Sequence, residues 1–351
     1  MSSFSSLLVP SVQQLAKKSM VTPPSRYIRS DLEAPIISSI TSIGEVPVID
    51  MQKLLEEDDA GVELERLHLA CKEWGFFQLV DHGVNTELVE NLKLQIQEFF
   101  NMPPEEKKRF WQQENQMEGF GQAFVMSEEQ KLDWADMFFL ITLPKIARKP
   151  HLFPELPLPL RDVLEEYSLE MKNLAMRIFK VMERALKTKR KEMEDIFEDG
   201  FQTMRMNYYP PCPLPEQVIG LTAHSDASGL TILLQVNEVE GLQVRKEGNW
   251  IPIKPLPNAF IVNIGDILEI VSNGIYRSIE HRATINNMKE RLSIATFYSP
   301  KFEAEIKPAE GIVTPQTPAL FREIKAEDYF QGLFSQKLDG KSYLDSMRIE
   351  T

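Results

Sequence analysis

The sequence predicts an α+β protein: a double-stranded β-helix (jelly-roll, cupin-like) barrel core, a helical N-terminal region and a C-terminal helix. Three observations carry that prediction. Before residue 200, apolar side chains recur mainly at i, i+3 and i+4, the spacing of one helix face. After Phe201 the pattern changes to short strand-like runs separated by turn residues. Eight short antiparallel strands suit a double-sheet jelly roll whose mouth holds a small ligand. One of these runs ends in His224-Ser225-Asp226, an imidazole and a carboxylate that an extended strand projects from one face.

Taken in order, Ser11-Val12-Gln13-Gln14 has the form of a capping box and predicts a short helix to about Lys18, stopped by Pro23-Pro24. Residues 45–50 read as a short strand and 62–72 as an amphipathic helix. Residues 74–80 are apolar on both faces and rich in aromatics, hence a buried strand. It ends at Asp81-His82-Gly83, where His82 reads as a loop histidine at a strand end. Helical spacing returns over 87–100, closed by Asn101-Met102-Pro103, with a second short helix over 104–111. Residues 119–124 are a glycine-loosened strand or loop, 136–143 a strand, and 158–189 one long helix. The charge run 187–194 reads as a solvated helix end and linker. The strands of the second half are 204–209, 218–224, 230–235, 242–245, 250–253, 259–264, 278–283 and 291–298, with Gly248-Asn249 in a hairpin turn. Pro315 and Pro318 interrupt the chain before a last helix over 327–333.

Composition narrows the function. With 43% hydrophobic and 26% charged residues the chain is of soluble globular type, and its 351 residues can bury a sizeable core. A net charge of -13 argues against nucleic-acid backbones and anionic membranes as partners, so an anionic small molecule must be held by specific local cations. Cys71 and Cys212 make no disulfide framework and fit a reducing cytosol. No apolar run approaches the roughly 20 residues that cross a bilayer, and no charged region followed by a hydrophobic one stands at the N-terminus. A cytoplasmic monomer acting on a small molecule is the expectation.

Two constellations carry chemistry. His224 and Asp226 predict two ligands of a metal site, and His281 is the other histidine of the C-terminal half. Two imidazoles and one carboxylate on one face of an ion leave positions open for substrates, as in non-haem Fe(II) oxygenases. The plain alternative is a chance His-x-Asp with an ordinarily hydrogen-bonded histidine. Arg291-Leu292-Ser293 repeats the i, i+2 logic on an interior face. A buried arginine needs an anion, either a ligand carboxylate held by its planar fork or a protein carboxylate such as Glu269 or Glu290.

With His224, Asp226, His281, Arg291 and Ser293 in this order and spacing, the chain resembles the plant iron(II)- and 2-oxoglutarate-dependent dioxygenases. The likeness extends over Val46-Pro47-Val48-Ile49-Asp50, Trp74-Gly75-Phe76-Phe77, His82-Gly83-Val84 and Asn207-Tyr208-Tyr209-Pro210-Pro211-Cys212. Leu132-Asp133-Trp134-Ala135-Asp136 and Leu338-Asp339-Gly340-Lys341-Ser342 are similar to the branch of alkaloid O-demethylases, senescence-related oxygenases and norcoclaurine-synthase-like proteins. Asp81 stands where that family usually has Asn, outside the ligand set.

The resemblance implies Fe(II) on His224, Asp226 and His281. It implies 2-oxoglutarate with its distal carboxylate on Arg291, Ser293 and Tyr209 and a further hydrogen bond from Asn207, with O2 as co-substrate and ascorbate as a stimulant. It divides the chain into a mainly helical region 1–200 packed on the barrel, the dioxygenase jelly-roll core 201–305, and a C-terminal helix and tail 306–351 covering the site. The products would be succinate, CO2 and a hydroxylated substrate; hydroxylating a methoxy carbon gives a hemiacetal that loses formaldehyde, which is O-demethylation. Phe297 shares strand parity with Ser293. Phe120, Gln122 and Phe124 on the glycine-flanked segment, and Phe330, Leu333 and Phe334 on the last helix, are the other candidate walls, with plain core as the alternative for each. Such a wall suits a large, flat, mostly apolar alkaloid, phenolic or terpenoid. Competing expectations are a condensing or lyase activity on the same fold, a non-catalytic small-molecule binder and a zinc hydrolase. Only the oxygenase uses iron, oxygen and the distal-carboxylate set together.

Overall fold

The structure is a computed structural model that describes residues 7–18, 20–30, 44–56, 60–113, 116–122, 125, 127–188, 192–334 and 341–349. Its centre is an eight-stranded sheet facing a four-stranded one, the two layers of a jelly roll. In chain order the strands are β1 (Val48–Asp50), β2 (Phe76–Val80), β3 (Gly119–Gly121), β4 (Asp136–Leu143), β5 (Phe201–Tyr209), β6 (Leu221–His224), β7 (Leu230–Gln235), β8 (Leu242–Lys246), β9 (Asn249–Pro252), β10 (Phe260–Ile264), β11 (His281–Ala283) and β12 (Arg291–Ser299). The large sheet runs β1-β2-β10-β7-β12-β5-β4-β3 and the small one β6-β11-β8-β9. Four strands of the large sheet, β1 to β4, come from chain positions before residue 200.

The helices are α1 (Val12–Ala16), α2 (Met51–Leu55), α3 (Ala60–Leu69), α4 (Thr86–Asn101), α5 (Pro104–Lys107), α6 (Leu158–Leu186), α7 (Glu192–Phe197), α8 (Asp266–Val271), α9 (Ala326–Phe334) and α10 (Ser342–Ser346). In α4 and α6 the apolar stripe is what packs: Leu88, Leu92, Ile96 and Phe99 of one and Leu164, Met171, Ala175 and Ile178 of the other are buried in the main core. That core lies between these helices and the outer face of the large sheet, so the inner face is left to the second sheet.

Register fixes which residues look inward. Asn207, Ser293 and Gln235 lie side by side on β5, β12 and β7; Arg205, Ala295 and Leu233 follow, then Thr203, Phe297, Thr231 and Asn263. The alternate row, Phe138, Met206, Ile294 and Leu234, belongs to the helix-facing core.

Differences from the sequence reading have physical causes. The apolar spacing predicts no helix at α8, because all six of its residues are buried and no polar face marks a helical period. The expected strand 278–283 shortens to β11, since the Ser278 amide is taken by the Glu269 carboxylate. The first helix stops at Ala16. Its N-terminus is held by buried Asp136, which accepts from the amides of Val12 and Gln13 at 2.8 and 2.9 Å and from the Ser11 hydroxyl at 2.6 Å.

Candidate active site

Each of the three predicted metal-ligating side chains has one atom committed to the protein and one left over. His224, the last residue of β6, faces His281, the first of β11, across an antiparallel pair, with ring centroids 4.3 Å apart. The Nδ1 of His224 lies 2.8 Å from the Thr222 carbonyl and that of His281 3.2 Å from the Ile279 carbonyl. A carbonyl only accepts, so Nδ1 carries the proton in both rings and Nε2 presents a lone pair. Asp226 follows β6 in the loop. Its Oδ2 accepts from the Thr231 hydroxyl at 2.6 Å and from the Asn263 amide at 2.7 Å, which leaves Oδ1. That Oδ1 is 3.5 Å from His224 Nε2 and 3.6 Å from His281 Nε2, and one ligand atom from each residue lies within 4.8 Å of the others. Three donor atoms grouped this closely could hold one metal ion.

Electrostatics agree with that donor set at Asp226 and His281, while at His224 an ion would have to compete with a proton. Burial opposes charge on Asp226, but the His281 and His224 imidazoles and the Thr231 hydroxyl outweigh it and hold the carboxyl well below its usual range. Burial pushes the His281 imidazole down to about 4, so it stays neutral with its lone pair available. In His224 burial is overridden by the Asp226 carboxylate, and its pKa rises.

Arg291 opens β12 at one end of the inner face and is 2% exposed. Both protein carboxylates that would neutralise it are engaged elsewhere. Glu290 accepts from the Tyr208 hydroxyl and from Gln97, and Glu269 accepts from Lys341, Arg348 and the Ser278 amide. Among the described residues no carboxylate pairs with Arg291: one amino group donates to Gln235 Oε1 at 3.0 Å, the guanidinium lies over the Tyr209 ring at 5.2 Å, and its buried Nε has no partner. Ser293 and Asn207 stand beside it, with Asn207 Nδ2 3.5 Å from Ser293 Oγ. A buried, unneutralised guanidinium beside hydroxyl and amide donors fits one carboxylate of a small dianion.

The candidate wall residues separate. Phe297 faces inward with Ser293 and packs among Phe76, Leu233 and Ala295. Phe120 does not line that interior. It pairs with Phe138 on the opposite face and sits 2% exposed among Phe99, Phe100 and the Lys107 ammonium, because Gly119 and Gly121 take the inward positions. Gln122 is buried with its amide 3.5 Å from the Tyr27 hydroxyl. Phe124 lies outside the described residues. Phe330 and Phe334 stack with each other, and Phe330 meets Phe302, which contacts Phe201 on the inward row of β5. Leu333 is buried on the same helix. His82 is a loop residue whose Nε2 meets the Asn258 carbonyl at 3.0 Å.

Sequence reasoning missed Thr231, Asn263, Gln235 and Arg205, whose Nε donates to Asn207 Oδ1 at 2.7 Å. A signal was present: in Leu230-Thr231-Ile232-Leu233-Leu234-Gln235 the two polar residues share parity inside an apolar run, as do Arg205 and Asn207.

Comparison with known proteins agrees with this geometry. Residues 200–300 match the family described as the 2OG-Fe(II) oxygenase superfamily, and residues 46–156 match the N-terminal region described as that of non-haem dioxygenase in morphine synthesis. The chain is 58% identical to codeine O-demethylase of Papaver somniferum over 98% of its own length and 97% of the relative's. It is 57% identical to oxoglutarate-dependent flavonoid 7-O-demethylase 1 of Ocimum basilicum, covering 98% and 92%. Among solved structures it is similar to JOX2 in complex with 2OG, Fe and JA, with a TM-score of 0.88 and 37% identity over 97% of this chain and 98% of that one.

Proposed function

The chain belongs to the 2OG-Fe(II) oxygenase superfamily, and from this premise we propose that His224, Asp226 and His281 hold the Fe(II) while Arg291, Ser293, Tyr209 and Asn207 hold 2-oxoglutarate. The enzyme is a 2-oxoglutarate-dependent dioxygenase. The observation that carries the residue assignment is Arg291, a buried cation at one end of the inner face with no carboxylate beside it among the described residues. When bound, iron and 2-oxoglutarate supply oxygen activation, with succinate and CO2 as co-products.

The protein's own residues do the positioning. Thr231 and Asn263 turn Asp226 so that Oδ1 faces the two imidazoles, and the Thr222 and Ile279 carbonyls fix the tautomers. Arg291 draws one carboxylate to the end of the barrel at Gln235, which leaves the other end of the co-substrate for the metal. Phe297, Phe76 and Leu233 keep that interior apolar and exclude water. The organic substrate is a largely apolar plant specialised metabolite, an alkaloid, phenolic or terpenoid, that is hydroxylated or, where a methoxy carbon is presented, O-demethylated. The two demethylases at 57 and 58% identity support the second outcome. In this reading residues 1–200 brace the barrel and also lend β1 to β4 to its large sheet, 201–305 carry the chemistry, and 306–351 cover the site.

The test is release of labelled CO2 from 1-labelled 2-oxoglutarate by anaerobically iron-loaded protein exposed to oxygen, with codeine and a 7-methoxyflavone as probes. Release that needs oxygen, rises with a probe and disappears in His224→Ala supports the assignment. Undiminished release in His224→Ala overturns it.

A further inference from the structure

The C-terminal tail is tied to the site from behind through one buried carboxylate. Glu269 is 1% exposed and accepts from three residues on two segments: from the Ser278 amide at 2.7 Å and, on the tail, from Lys341 Nζ at 2.9 Å and the Arg348 guanidinium at 2.8 Å. Lys341 also donates to the Ser278 carbonyl at 2.5 Å, so it grips both sides of that residue. Ser278 lies three positions before His281.

Glu269 sits on α8, and the start of that helix holds the other ligand-bearing segment. The Asp266 amide donates to the Asp226 carbonyl at 2.7 Å and the Ile267 amide to the Ser228 carbonyl at 3.1 Å, while the Asp266 carboxylate accepts from the Ser225 hydroxyl at 3.1 Å. The backbones approach so closely at Gly265 that a Cβ there would come within 2.0 Å of the Ser228 carbonyl oxygen. Both segments that carry ligands are therefore anchored on one buried helix, whose carboxylate is neutralised by two cations of the tail. The tail in turn packs on α9: the Tyr329 and Tyr343 rings are 5.1 Å apart, and a Cβ at Gly332 would strike the Tyr343 hydroxyl. From α9 the rings of Phe330 and Phe302 lead to Phe201 on the inner row.

We propose that Glu269 is a positioning residue, clamped by Lys341 and Arg348, that makes docking of the C-terminal tail and the geometry of the metal-ligand segments one coupled state. This rests on the assignment of His224, Asp226 and His281 as metal ligands. Leaving Glu269 with one cation fewer unbalances a buried charge, and that strain is felt where Glu269 holds Ser278. Coupling is reciprocal: if the tail orders the ligand segments, metal on those segments must order the tail by the same factor. The distal-carboxylate set should be spared, because α8 leaves β10 where Ile264 meets Leu230, which pairs in turn with Tyr298, and Arg291 is at the opposite end of β12.

The experiment compares the full chain with Lys341→Met, Lys341→Arg and Arg322→Met. Arg322 also belongs to the tail's contacts, donating to Met347 without touching Glu269, and serves as the control for general loosening. Hydrogen exchange is measured peptide by peptide without metal, and Co(II) binding by calorimetry. In Lys341→Met, exchange over 275–281 should rise about tenfold and Co(II) should bind about tenfold more weakly, with Lys341→Arg close to wild type and Arg322→Met unchanged at both readouts. Co(II) should slow exchange over 341–349 in wild type and not in Lys341→Met. A rise confined to the tail in Lys341→Met, with unchanged cobalt affinity, overturns the clamp. Wild type that binds no Co(II) overturns the ligand assignment instead, and exchange over 275–281 still decides whether the tail orders that segment.

Discussion

Replacing Asn263 with alanine tests the logic of the site most directly, because Asn263 touches no expected ligand atom of the metal. Its amide and the hydroxyl of its cross-strand neighbour Thr231 are the two donors to Asp226 Oδ2, at 2.7 and 2.6 Å. Removing one of two hydrogen bonds to a buried carboxylate costs about 1.5–3 kcal/mol. At about 1.4 kcal/mol per decade that is roughly a 10- to 100-fold loss, to the extent that the bond orients Oδ1 for the ion. Metal affinity measured anaerobically by calorimetry should fall by that range in Asn263→Ala. It should fall further in Asn263→Asp, which sets a second carboxylate against the first. Asn273→Ala is the control: Asn273 is also buried and donates to the Pro318 carbonyl, away from Asp226, so its loss should lower Tm and leave metal affinity alone. Affinity within twofold of wild type in a folded Asn263→Ala protein would refute the claim that Thr231 and Asn263 set the carboxylate.

Three further outcomes follow from the same geometry. Arg291→Lys keeps the charge but loses the fork and the bond to Gln235, so the KM for 2-oxoglutarate should rise about tenfold or more, while the organic-substrate KM changes little. Phe297→Ala should raise the organic-substrate KM with a small change in Tm, whereas Phe120→Ala should cost about 3–5 kcal/mol of stability in denaturant titration and leave that KM unchanged, since Phe120 is core. Burial pushes the Glu183 carboxyl up to about 7 from 4.5, so the folded state keeps a proton that the unfolded state releases first. Its contribution to stability therefore declines as pH rises from about 4.5 through about 7. Glu183→Gln retains an acceptor for the Met193 amide and should raise Tm at pH 8 but not at pH 4.

Much of the fold was legible because long elements repeat a period many times. The helices over 86–101 and 158–186 and the strand over 136–143 stand close to where their apolar spacing puts them. The candidate metal-ligating pair was legible because His224 and Asp226 stand two residues apart, although β6 ends at His224 and Asp226 lies in the loop beyond it; strand parity does give the interior position of Ser293 beside Arg291. Parity says nothing about which sheet face a distant segment joins, so the sequence leaves Phe120 between cavity wall and plain core, and the register puts Gly119 and Gly121 in the inward positions instead. Nor does composition reveal a fully buried six-residue helix such as α8.

The sequence by itself determined the chemistry of this protein: which side chains can bind a metal, that a buried arginine needs an anion, and that alternating strands present both to one interior. Those are properties of residue type and local period. Only the tertiary structure decided that Glu290 and Glu269 are spent on Tyr208 and on the tail cations, so that neither neutralises Arg291. Only it brought Thr231 and Asn263 to Asp226, and Lys341 to the carboxylate that braces Ser278. Those pairings join residues far apart in the chain, and the free energy that selects among possible partners comes from burying them together, which no local pattern encodes.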